Sequence, residues 1–333
     1  MKLLWITHRR RDELSAKSRS GISKALKTRG WEIQFMSPDG DFRVERSAMI
    51  GRGHRSFTRS VSSNLSSMAL DLFSVAIVEW TAVEGSATAL KKAGVPWIIM
   101  DRSPPVSVGI AGWIQRKQYK RAWDIARKNS GGRAVKSTYM AASQDWSLPN
   151  AIVPAGVDCS AFQTATMNED ALVVCHGSLD RSRELHRLAS MGLNLLLFGE
   201  GNDFQRLSRL TRVEASGDVE TRLASADIGV LHLPNRDVWR HASPLKVAEF
   251  AAAGLPVVAS EVSGLEPYRD AEWLTLIPLG DDEACKVALV DLCGLSREER
   301  LRLGALAQED AKNRMSWEHC TASLHEMLIE VKR

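Results

Sequence analysis

Cysteine pairs and long apolar runs are both missing from this chain of 333 residues. The five cysteines are scattered without a Cys-x-x-Cys pair, and their odd number leaves one without a partner in any intramolecular disulfide scheme. No run approaches the ~18 apolar residues of a membrane span, and the apolar part of the N-terminus is far too short for a signal peptide. We therefore expect a reduced, cytoplasmic location.

Other patterns are absent as well. No Gly-x-Gly-x-x-Gly follows the first predicted strand, which disfavours an NAD enzyme, and no short-period repeat or low-complexity tract interrupts the chain. What is present is an ordinary globular composition, with 44% hydrophobic and 25% charged residues. Because the length is about twice that of a usual domain of ~150 residues, we expect two domains.

Charge is distributed unevenly along the sequence. Residues 1–150 contain 25 Lys and Arg against 12 Asp and Glu, a balance of +13, whereas residues 151–333 contain 19 against 28, a balance of −9. The basic first half suggests an anionic membrane surface, an anionic ligand or nucleic acid as a partner, the alternative being a merely solvated surface. Because the acidic second half opposes the wrapping of DNA, we expect no nucleic-acid partner.

Short apolar strands alternate with helical patterns in both halves. The first half shows strands at 2–7, 31–37, 75–80 and 96–100, with helices at 15–29, 83–93 and 106–128. The second half shows strands at 171–177, 193–201, 226–233 and 255–260, separated by helices at 182–190, 203–210 and 219–225. This alternation predicts an α/β protein with two doubly wound, parallel, Rossmann-like sheets joined near 150–165.

The stretch HASPLKVAEFAAAGLPVVAS at 241–260 predicts a helix packed closely on the strand that follows it. Ser243 is a good N-cap, and Pro244 suits the first helical position, where no backbone N–H is needed. Leu245 and the alanines supply a packing face of small side chains, and Gly254 with Pro256 ends the helix. We expect the helix N-terminus at the carboxyl edge of the strands, where open α/β sheets bind ligands.

Lys246 and Glu249 lie on one face near the start of this helix. The partial positive charge and unpaired N–H groups of a helix N-terminus favour an anion such as phosphate, and Lys246 adds a full charge there. A carboxylate further along would repel a phosphate but accept hydrogen bonds from paired hydroxyls such as those of a ribose. The arrangement suits a nucleoside diphosphate, the alternative being a solvated i,i+3 ion pair.

Two further loops follow strands at the same predicted edge. In HGSLDRS at 176–182 and FGEGND at 198–203, Gly177, Gly199 and Gly201 would permit close approach of the backbone to a ligand. Arg181 or Arg183 could reach a phosphate. One glycine pair alone would indicate an ordinary turn, whereas three converging loops indicate a binding site.

Four segments resemble the signatures of a known enzyme family. They are VPAGVDCSAF at 153–162, VEASGDVETRLASADIGVLHLP at 213–234, SPLKVAEFAAAGLPVVAS at 243–260 and, more loosely, SRSGISKALKTRGWEIQFMSP at 18–38. They resemble a GT-B glycosyltransferase, most similar to glycosyltransferase family 4, over essentially the whole chain. The resemblance implies two Rossmann-like domains facing across a cleft: an acceptor domain at 1–150, a nucleotide-sugar domain at 151–310, and a C-terminal helix at 311–333 that returns to the first domain.

The resemblance also implies roles for single residues. Glu249 matches the second glutamate of the family's E-x7-E motif, which bonds the ribose hydroxyls, but His241 stands where the first glutamate would contact the donor sugar. In relatives of this variant form the lysine contacts the phosphates. Lys246 is therefore expected at the diphosphate and His241 at the sugar or the phosphate, a plain surface histidine being the alternative.

One further position departs from the family pattern. Ser178 stands where an arginine is usual, so Arg181 or Arg183 would take over the contact with the phosphate. The full set of residues expected at the donor is Gly177, Ser178, Arg181, Arg183, Gly199, Gly201, Ser243, Pro244, Leu245, Lys246 and Glu249, with His241 beside them.

Transfer of a sugar requires stabilisation of the leaving diphosphate. The helix dipole, Lys246 and a guanidinium would provide it without a metal, in agreement with the absence of a DxD-type carboxylate pair from a suitable loop. We expect no cofactor besides the nucleotide diphospho-sugar, and a hexosyltransferase that retains the anomeric configuration, as the family does. Asp101, at the end of the strand at 96–100, could instead be the general base of an inverting attack, or cap a helix.

The acceptor would meet the basic first half, where Arg9, Arg10 and Arg11 follow the first strand. A second basic segment, at 106–121, could lie on a membrane with anionic headgroups, or form a buried helix with a charged outer face. We expect a glycan or polyprenyl-linked acceptor and an enzyme peripheral on the inner face of the membrane. The segment has an apolar start (Val108, Ile110, Trp113, Ile114) and a basic cluster (Arg116, Lys117, Lys120, Arg121).

Two other functions remain open from the sequence. An epimerase on the same fold would release free nucleotide without using an acceptor. A catalytically inactive nucleotide-sugar-binding protein would account for the missing first glutamate.

Overall fold

The computed structural model describes residues 1–11, 13, 16–46, 51–105, 109–143 and 145–332. The expected helix start at Ser15, and Val108 with residues 106–107 of the second basic segment, lie outside the described residues. The chain forms two compact units, Met1–Pro154 with Cys320–Arg333, and Ala155–His319. Against the expected boundaries of 1–150, 151–310 and 311–333, the chain thus changes unit at Ala155 and at Cys320.

The first unit is built on a seven-stranded sheet in which all neighbouring strands are parallel. The strand order is β3-β2-β1-β4-β5-β6-β7, so the sheet reverses its direction of growth between β1 and β4. The strands are β1 (Lys2–Ile6), β2 (Glu32–Ser37), β3 (Phe42–Arg43), β4 (Val75–Glu79), β5 (Trp97–Asp101), β6 (Gly132–Val135) and β7 (Asn150–Ile152).

Five helices connect these strands in the described part of the first unit. Because helices cover both faces, β1 is an uninterrupted apolar run, with Leu3, Leu4, Trp5 and Ile6 all inaccessible to solvent. The helices are α1 (Ala16–Thr28), α2 (Gly51–Ser67), α3 (Val83–Lys92), α4 (Gly109–Asn129) and α5 (Thr138–Ala142).

The second unit contains a six-stranded sheet, again with all neighbouring strands parallel. Its order is β10-β9-β8-β11-β12-β13, with the reversal between β8 and β11. The strands are β8 (Val173–Ser178), β9 (Leu195–Glu200), β10 (Arg212–Glu214), β11 (Ile228–Leu231), β12 (Val257–Ser260) and β13 (Leu274–Ile277). The expected pair of doubly wound α/β sheets is confirmed.

The helices of the second unit are mostly short. They are α6 (His186–Ala189), α7 (Phe204–Leu207), α8 (Val219–Ala224), α9 (Asp237–Arg240), α10 (Leu245–Ala252), α11 (Asp282–Gly294), α12 (Arg297–Asp310) and α13 (Trp317–Cys320). A π-helical turn over Ala311–Met315 continues α12.

Helix α10 packs tightly on the sheet of the second unit. A Cβ atom on Gly229 of β11 would lie 2.5 Å from the ring of Phe250, so this glycine admits the helix. The alanines on the buried face of α10 keep the helix near β11 and β12, and Gly254, with φ +76°, ends it as expected.

The last helix, α14 (Ala322–Val331), belongs to the first unit. It lies on β6 and β7, where a Cβ atom on Gly131 would be 2.5 Å from Val331 Cγ1. The Ser323 hydroxyl donates to the Ile152 carbonyl at 2.9 Å. The chain therefore begins and ends in the same unit.

Candidate functional site

Three loops of the second unit meet at the carboxyl edge of its sheet. Strands β8 and β9 stay in register to their ends, with Gly177 opposite Gly199 and Ser178 opposite Glu200. Helix α10 follows β11 on the other side of the point where the strand order reverses. This is the position at which open α/β sheets bind ligands.

The glycines of these loops allow two backbone segments and the Lys246 side chain to lie in close contact. Gly177 has φ +107°, and a Cβ atom there would lie 2.8 Å from Lys246 Nζ. Gly199 has φ +154°, and its Cβ would lie 1.8 Å from the Gly177 carbonyl oxygen. A Cβ on Gly201 would lie 2.3 Å from the backbone of Leu179. Side chains at these positions would push the loops apart.

The expected N-cap of α10 is wrong. The helix begins at Leu245, Pro244 occupies the N-cap position with extended backbone (φ −82°, ψ 115°), and no side chain caps the helix. The Ser243 hydroxyl instead accepts a hydrogen bond from the Ala155 backbone N–H at 2.8 Å. Because proline has no side-chain acceptor, the N–H groups of the first turn remain available to an anion at the sheet edge.

Lys246 and Arg183 are two partly buried cations at this edge. Burial lowers the pKa of Lys246, the nearby Arg183 lowers it further, and Cys175 and Glu249 oppose the shift. Burial also lowers the pKa of Arg183, whose guanidinium carbon lies 4.1 Å from the ring centre of Trp239. The two cations repel each other, which an anion bound between them would relieve.

The two candidate arginines after β8 have separate surroundings. Arg181 is exposed, and its Nε lies 3.6 Å from Oδ1 of the buried Asp203. Arg183 ends the short 3-10 turn that Arg181 begins, and it lies near Lys246. Ser178, where the family usually has an arginine, donates a hydrogen bond to Asp180. The structure therefore brings Arg183, and not Arg181, to the lysine.

Glu249 lies deeper than the two cations. It is only 6% exposed, and its Oε2 is 3.2 Å from His176 Nε2. The imidazole stacks on Phe198 at 5.2 Å and meets the edge of Phe250 at 5.3 Å. Sequence reasoning did not single out His176, because a residue inside an apolar strand pattern reads as core; its position directly before Gly177 is the signal that was available.

Trp239 and His241 lie in the segment that precedes α10. His241 is half-buried and directly follows α9, and Trp239 lies within that helix. The stacking of Arg183 on Trp239 links the loop after β8 to the segment before α10. Trp239 is a second residue that sequence reasoning missed, because a short helix of mixed polarity has no distinctive pattern.

Asp101 occupies a buried position in the first unit. It is fully inaccessible, and its Oδ2 accepts hydrogen bonds from the Tyr119 hydroxyl at 2.5 Å and from Trp123 Nε1 at 3.2 Å. Burial raises its pKa, although Tyr119 and the neighbouring Lys136 oppose the shift. Its donors lie on α4, so Asp101 fastens that helix to β5. This environment favours a structural role over that of a general base.

The carboxyl edge of the first sheet carries a polar network that sequence reasoning missed. Thr7 donates from its hydroxyl to Glu79 Oε2 at 2.7 Å, and His8 Nδ1 lies 2.6 Å from the Thr81 hydroxyl. Burial and the neighbouring Arg9 lower the pKa of His8 to about 3, so its ring is neutral at pH 7. Each residue directly follows or ends an apolar strand, which was the signal in the sequence.

Helix α4 presents large apolar side chains to solvent. Ile110 is 80% exposed and Trp113 is 53% exposed. Lys117 Nζ lies 3.8 Å from the ring centre of Trp113, so the apolar and basic residues share one surface. Trp123, further along the helix, is buried in the core.

Neither a metal-binding cluster nor a membrane-spanning helix is present among the described residues. Over those ranges, no group of three or more His, Cys, Asp or Glu side chains is arranged to hold a metal ion. No helix in the described part of the chain combines the length and the apolar character needed to cross a membrane.

Comparison with known proteins identifies similar folds. Residues 170–294 match the family model of the glycosyl transferases group 1. Sucrose-phosphate synthase from Thermosynechococcus elongatus shares 15% identity and a TM-score of 0.74, with 99% of this chain and 98% of that chain covered. Anabaena HepE in complex with UDP-glucose shares 15% identity and a TM-score of 0.71, with 99% and 100% covered.

A third structure is WaaG, a glycosyltransferase involved in lipopolysaccharide biosynthesis. It shares 13% identity and a TM-score of 0.66, with 98% of this chain and 99% of that chain covered. No curated protein matches the sequence significantly. The predicted GT-B class of two parallel-sheet units is confirmed.

Proposed function

Because the fold is that of GT-B glycosyltransferases and residues 170–294 match the group 1 family, we propose that this protein transfers a sugar from a nucleotide diphospho-sugar. One observation carries the proposal. Lys246 and Arg183, two partly buried cations that repel each other, lie where an uncapped helix N-terminus meets the carboxyl edge of a parallel sheet. A diphosphate is the ligand that this charge arrangement fits.

The donor is proposed to lie along the edge from β8 to α10. Its diphosphate contacts the first turn of α10, Lys246 and Arg183. The ribose hydroxyls are held by Glu249, in place of its present contact with His176. His241, just before α10, contacts the sugar or its phosphate. The structure of HepE with UDP-glucose makes UDP-glucose the first donor to test and UDP the first nucleotide to test for binding.

The chemistry proposed is electrostatic. As the bond between the anomeric carbon and the diphosphate oxygen breaks, negative charge grows on the leaving group, and Lys246, Arg183 and the helix N–H groups stabilise it without a metal. The acceptor oxygen attacks the same face of the sugar, and its proton passes to the leaving phosphate, so the anomeric configuration is retained. The NMR coupling constant of the anomeric proton in the product distinguishes retention from inversion.

The donor site is tested by binding of UDP. At 100 times its dissociation constant, a ligand stabilises the folded state by about 2.7 kcal/mol. Lys246→Ala is expected to lose most of this stabilisation in a thermal-shift measurement, because it removes a full charge at the diphosphate. Lys286→Ala, at an exposed position of α11, is the matched control and should behave as wild type. Equal stabilisation of both variants would contradict the site.

The acceptor is proposed to be a glycan or a polyprenyl-linked sugar, reached from a membrane surface that α4 contacts. Ile110 and Trp113 would enter the interface beside anionic headgroups, with Lys117 next to them. Ile110→Ser with Trp113→Ser should weaken cosedimentation with phosphatidylglycerol vesicles severalfold, since apolar burial contributes roughly 1.5–3 kcal/mol per large side chain. Unchanged cosedimentation would exclude this face.

The histidine at position 241 supports a second candidate function. His241 replaces the glutamate that usually contacts the donor sugar, and a protein that binds nucleotide sugars without turning them over would fit that change. Binding of UDP-glucose without release of UDP, with or without a glycan acceptor, would favour this alternative. Release of UDP without an acceptor would instead favour the epimerase.

A further inference from the structure

A large cavity lies in the first unit beside the loop that contains Arg9 and Arg11, and its described lining includes no residue of α4. Its volume is about 830 Å³, within the range of small-molecule sites. It is formed by the loop after β1, the outer face of α1 and one face of β2. The floor includes Ile33 and Phe35, and Phe35 stacks on Trp5 with ring centres 5.4 Å apart.

The lining of this cavity is strongly basic. Asp41 is the one carboxylate among the described lining residues, and its Oδ2 accepts a hydrogen bond from the Phe35 backbone N–H at 2.8 Å. Five lining cations accompany it, namely Arg9, Arg11, Arg19, Lys24 and Lys27. A concave surface with such an excess of one sign concentrates its field on a ligand of the opposite sign.

Arg19 holds the inner end of the cavity. It is more than nine-tenths buried, and its guanidinium donates to the Arg10 carbonyl at 2.6 Å. Burial lowers its pKa, and Glu79 opposes this shift. A buried guanidinium presents planar donors to an oxyanion without having to be ordered on binding.

The cavity lies next to the carboxyl edge of the sheet. Arg9 and Arg19 also line a small neighbouring cavity, together with His8, Glu79 and Arg102, at the ends of β1, β4 and β5. This is where the strand order reverses in the first unit. The basic cavity therefore adjoins the place where an open parallel sheet binds ligands.

We propose that this cavity binds the phosphate group of the acceptor, so that the acceptor is a phosphorylated molecule. The inference rests on the proposed glycosyl transfer. The arginines bind the phosphate oxygens in pairs, the lysines balance its charge, and the apolar floor takes the ring or chain that carries the phosphate. A soluble sugar phosphate and a lipid phosphate offer the same group.

The test compares phosphorylated probes with neutral counterparts by titration calorimetry. One arm uses glucose 6-phosphate against glucose, and the other uses undecaprenyl phosphate in phosphatidylcholine vesicles against plain vesicles. We expect the full-length protein to bind at least one phosphorylated probe about tenfold more tightly than its counterpart. The arm that responds identifies the source of the phosphate.

Charge reversal locates the binding. Lys24→Glu with Lys27→Glu, at exposed positions of α1, should lower the affinity for the phosphorylated probe about tenfold or more. The control is Lys91→Glu with Lys92→Glu, which changes the charge equally at exposed positions of α3. Failure of both phosphorylated probes to exceed their counterparts, or an equal loss in the control, would overturn the proposal.

Binding of UDP separates this proposal from the donor site. Both double variants should keep the stabilisation that UDP gives to wild type, which also shows that they are folded. If UDP stabilises wild type but neither phosphorylated probe binds, the acceptor proposal fails alone. If UDP gives no stabilisation while a phosphorylated probe binds the cavity, the proposed glycosyl transfer fails and the cavity stands as an anion site.

Discussion

At the scale of single residues, the site combines groups that are costly to bury. Burial and the nearby Arg183 lower the pKa of Lys246, and Glu249 lies nearly enclosed beside His176. None of these arrangements would be favoured by folding alone. Binding of the proposed diphosphate would give them a physical reason, because its negative charge offsets the repulsion between the two cations.

His8 makes stability depend on pH. Its pKa is about 3 in the folded protein and near 6.5 when unfolded, so between these values the unfolded chain binds the extra proton. The contribution of His8 to the free energy of unfolding is therefore fully present above pH 6.5. It declines as the pH falls towards 3, by at most about 1.4 kcal/mol per pH unit. Urea unfolding of His8→Gln across this range should show a smaller decline than wild type.

His319→Gln, at an exposed position of α13, is the control for that measurement and should follow wild type. An identical decline in His8→Gln and wild type would mean that His8 does not contribute. Comparison of the variants is needed because carboxylates titrate in the same range and are common to all three proteins.

At the scale of elements, the proposed donor site depends most on the start of α10. Its first turn has no side-chain cap, because Pro244 occupies the N-cap position. Pro244→Ser would supply a hydroxyl to the same N–H groups and should raise or maintain stability, by up to about 1 kcal/mol. The same hydroxyl competes with the diphosphate, so the affinity for UDP should fall severalfold in titration calorimetry.

Pro244→Ala is the matched control, since it removes the proline without adding an acceptor. We expect its affinity for UDP to stay nearer to wild type than that of Pro244→Ser. Equal affinities for the two variants would show that the first-turn N–H groups do not bind the diphosphate.

The sequence predicted the end of this helix correctly, but it predicted neither the N-cap nor the contacts with distant residues. Lys246, Glu249 and the end at Gly254 follow from helical spacing and from the freedom of glycine at positive φ. The hydrogen bond from Ala155 to Ser243 spans 88 positions of the chain, and no local pattern encodes it. The contacts of His176 with Glu249 and of Arg183 with Trp239 depend in the same way on the order of the strands.

In the first unit, too, contacts between distant residues could not be predicted from the sequence. Alternating strands and helices predicted its sheet, and charge counts predicted its basic character. That five cations of the β1 loop and of α1 line one cavity depends on how that helix lies on β2, which composition does not reveal.

At the scale of the whole molecule, the two units have separate cores and one of them depends on both chain ends. Helix α14 buries Leu324, Met327 and Leu328 in the first unit. Removal of residues 320–333 should strongly destabilise that unit, since each such side chain contributes roughly 1.5–3 kcal/mol. Scanning calorimetry should show its transition at a lower temperature.

UDP identifies the two transitions in that experiment. It is expected to raise only the transition of the second unit, in wild type and in the truncated chain alike. A truncated chain whose UDP-sensitive transition falls as far as the other would show that α14 supports both units.

Because the chain returns to the first unit after the second, the two units can complete their folding only in a fixed order during synthesis. Residues 155–319 leave the exit tunnel as one continuous segment and can fold at once, whereas residues 1–154 must wait for α14. During that interval the surfaces of β6 and β7 that α14 later covers stay open to other chains. The first unit therefore reaches its native state only after residues 155–319 have been synthesised.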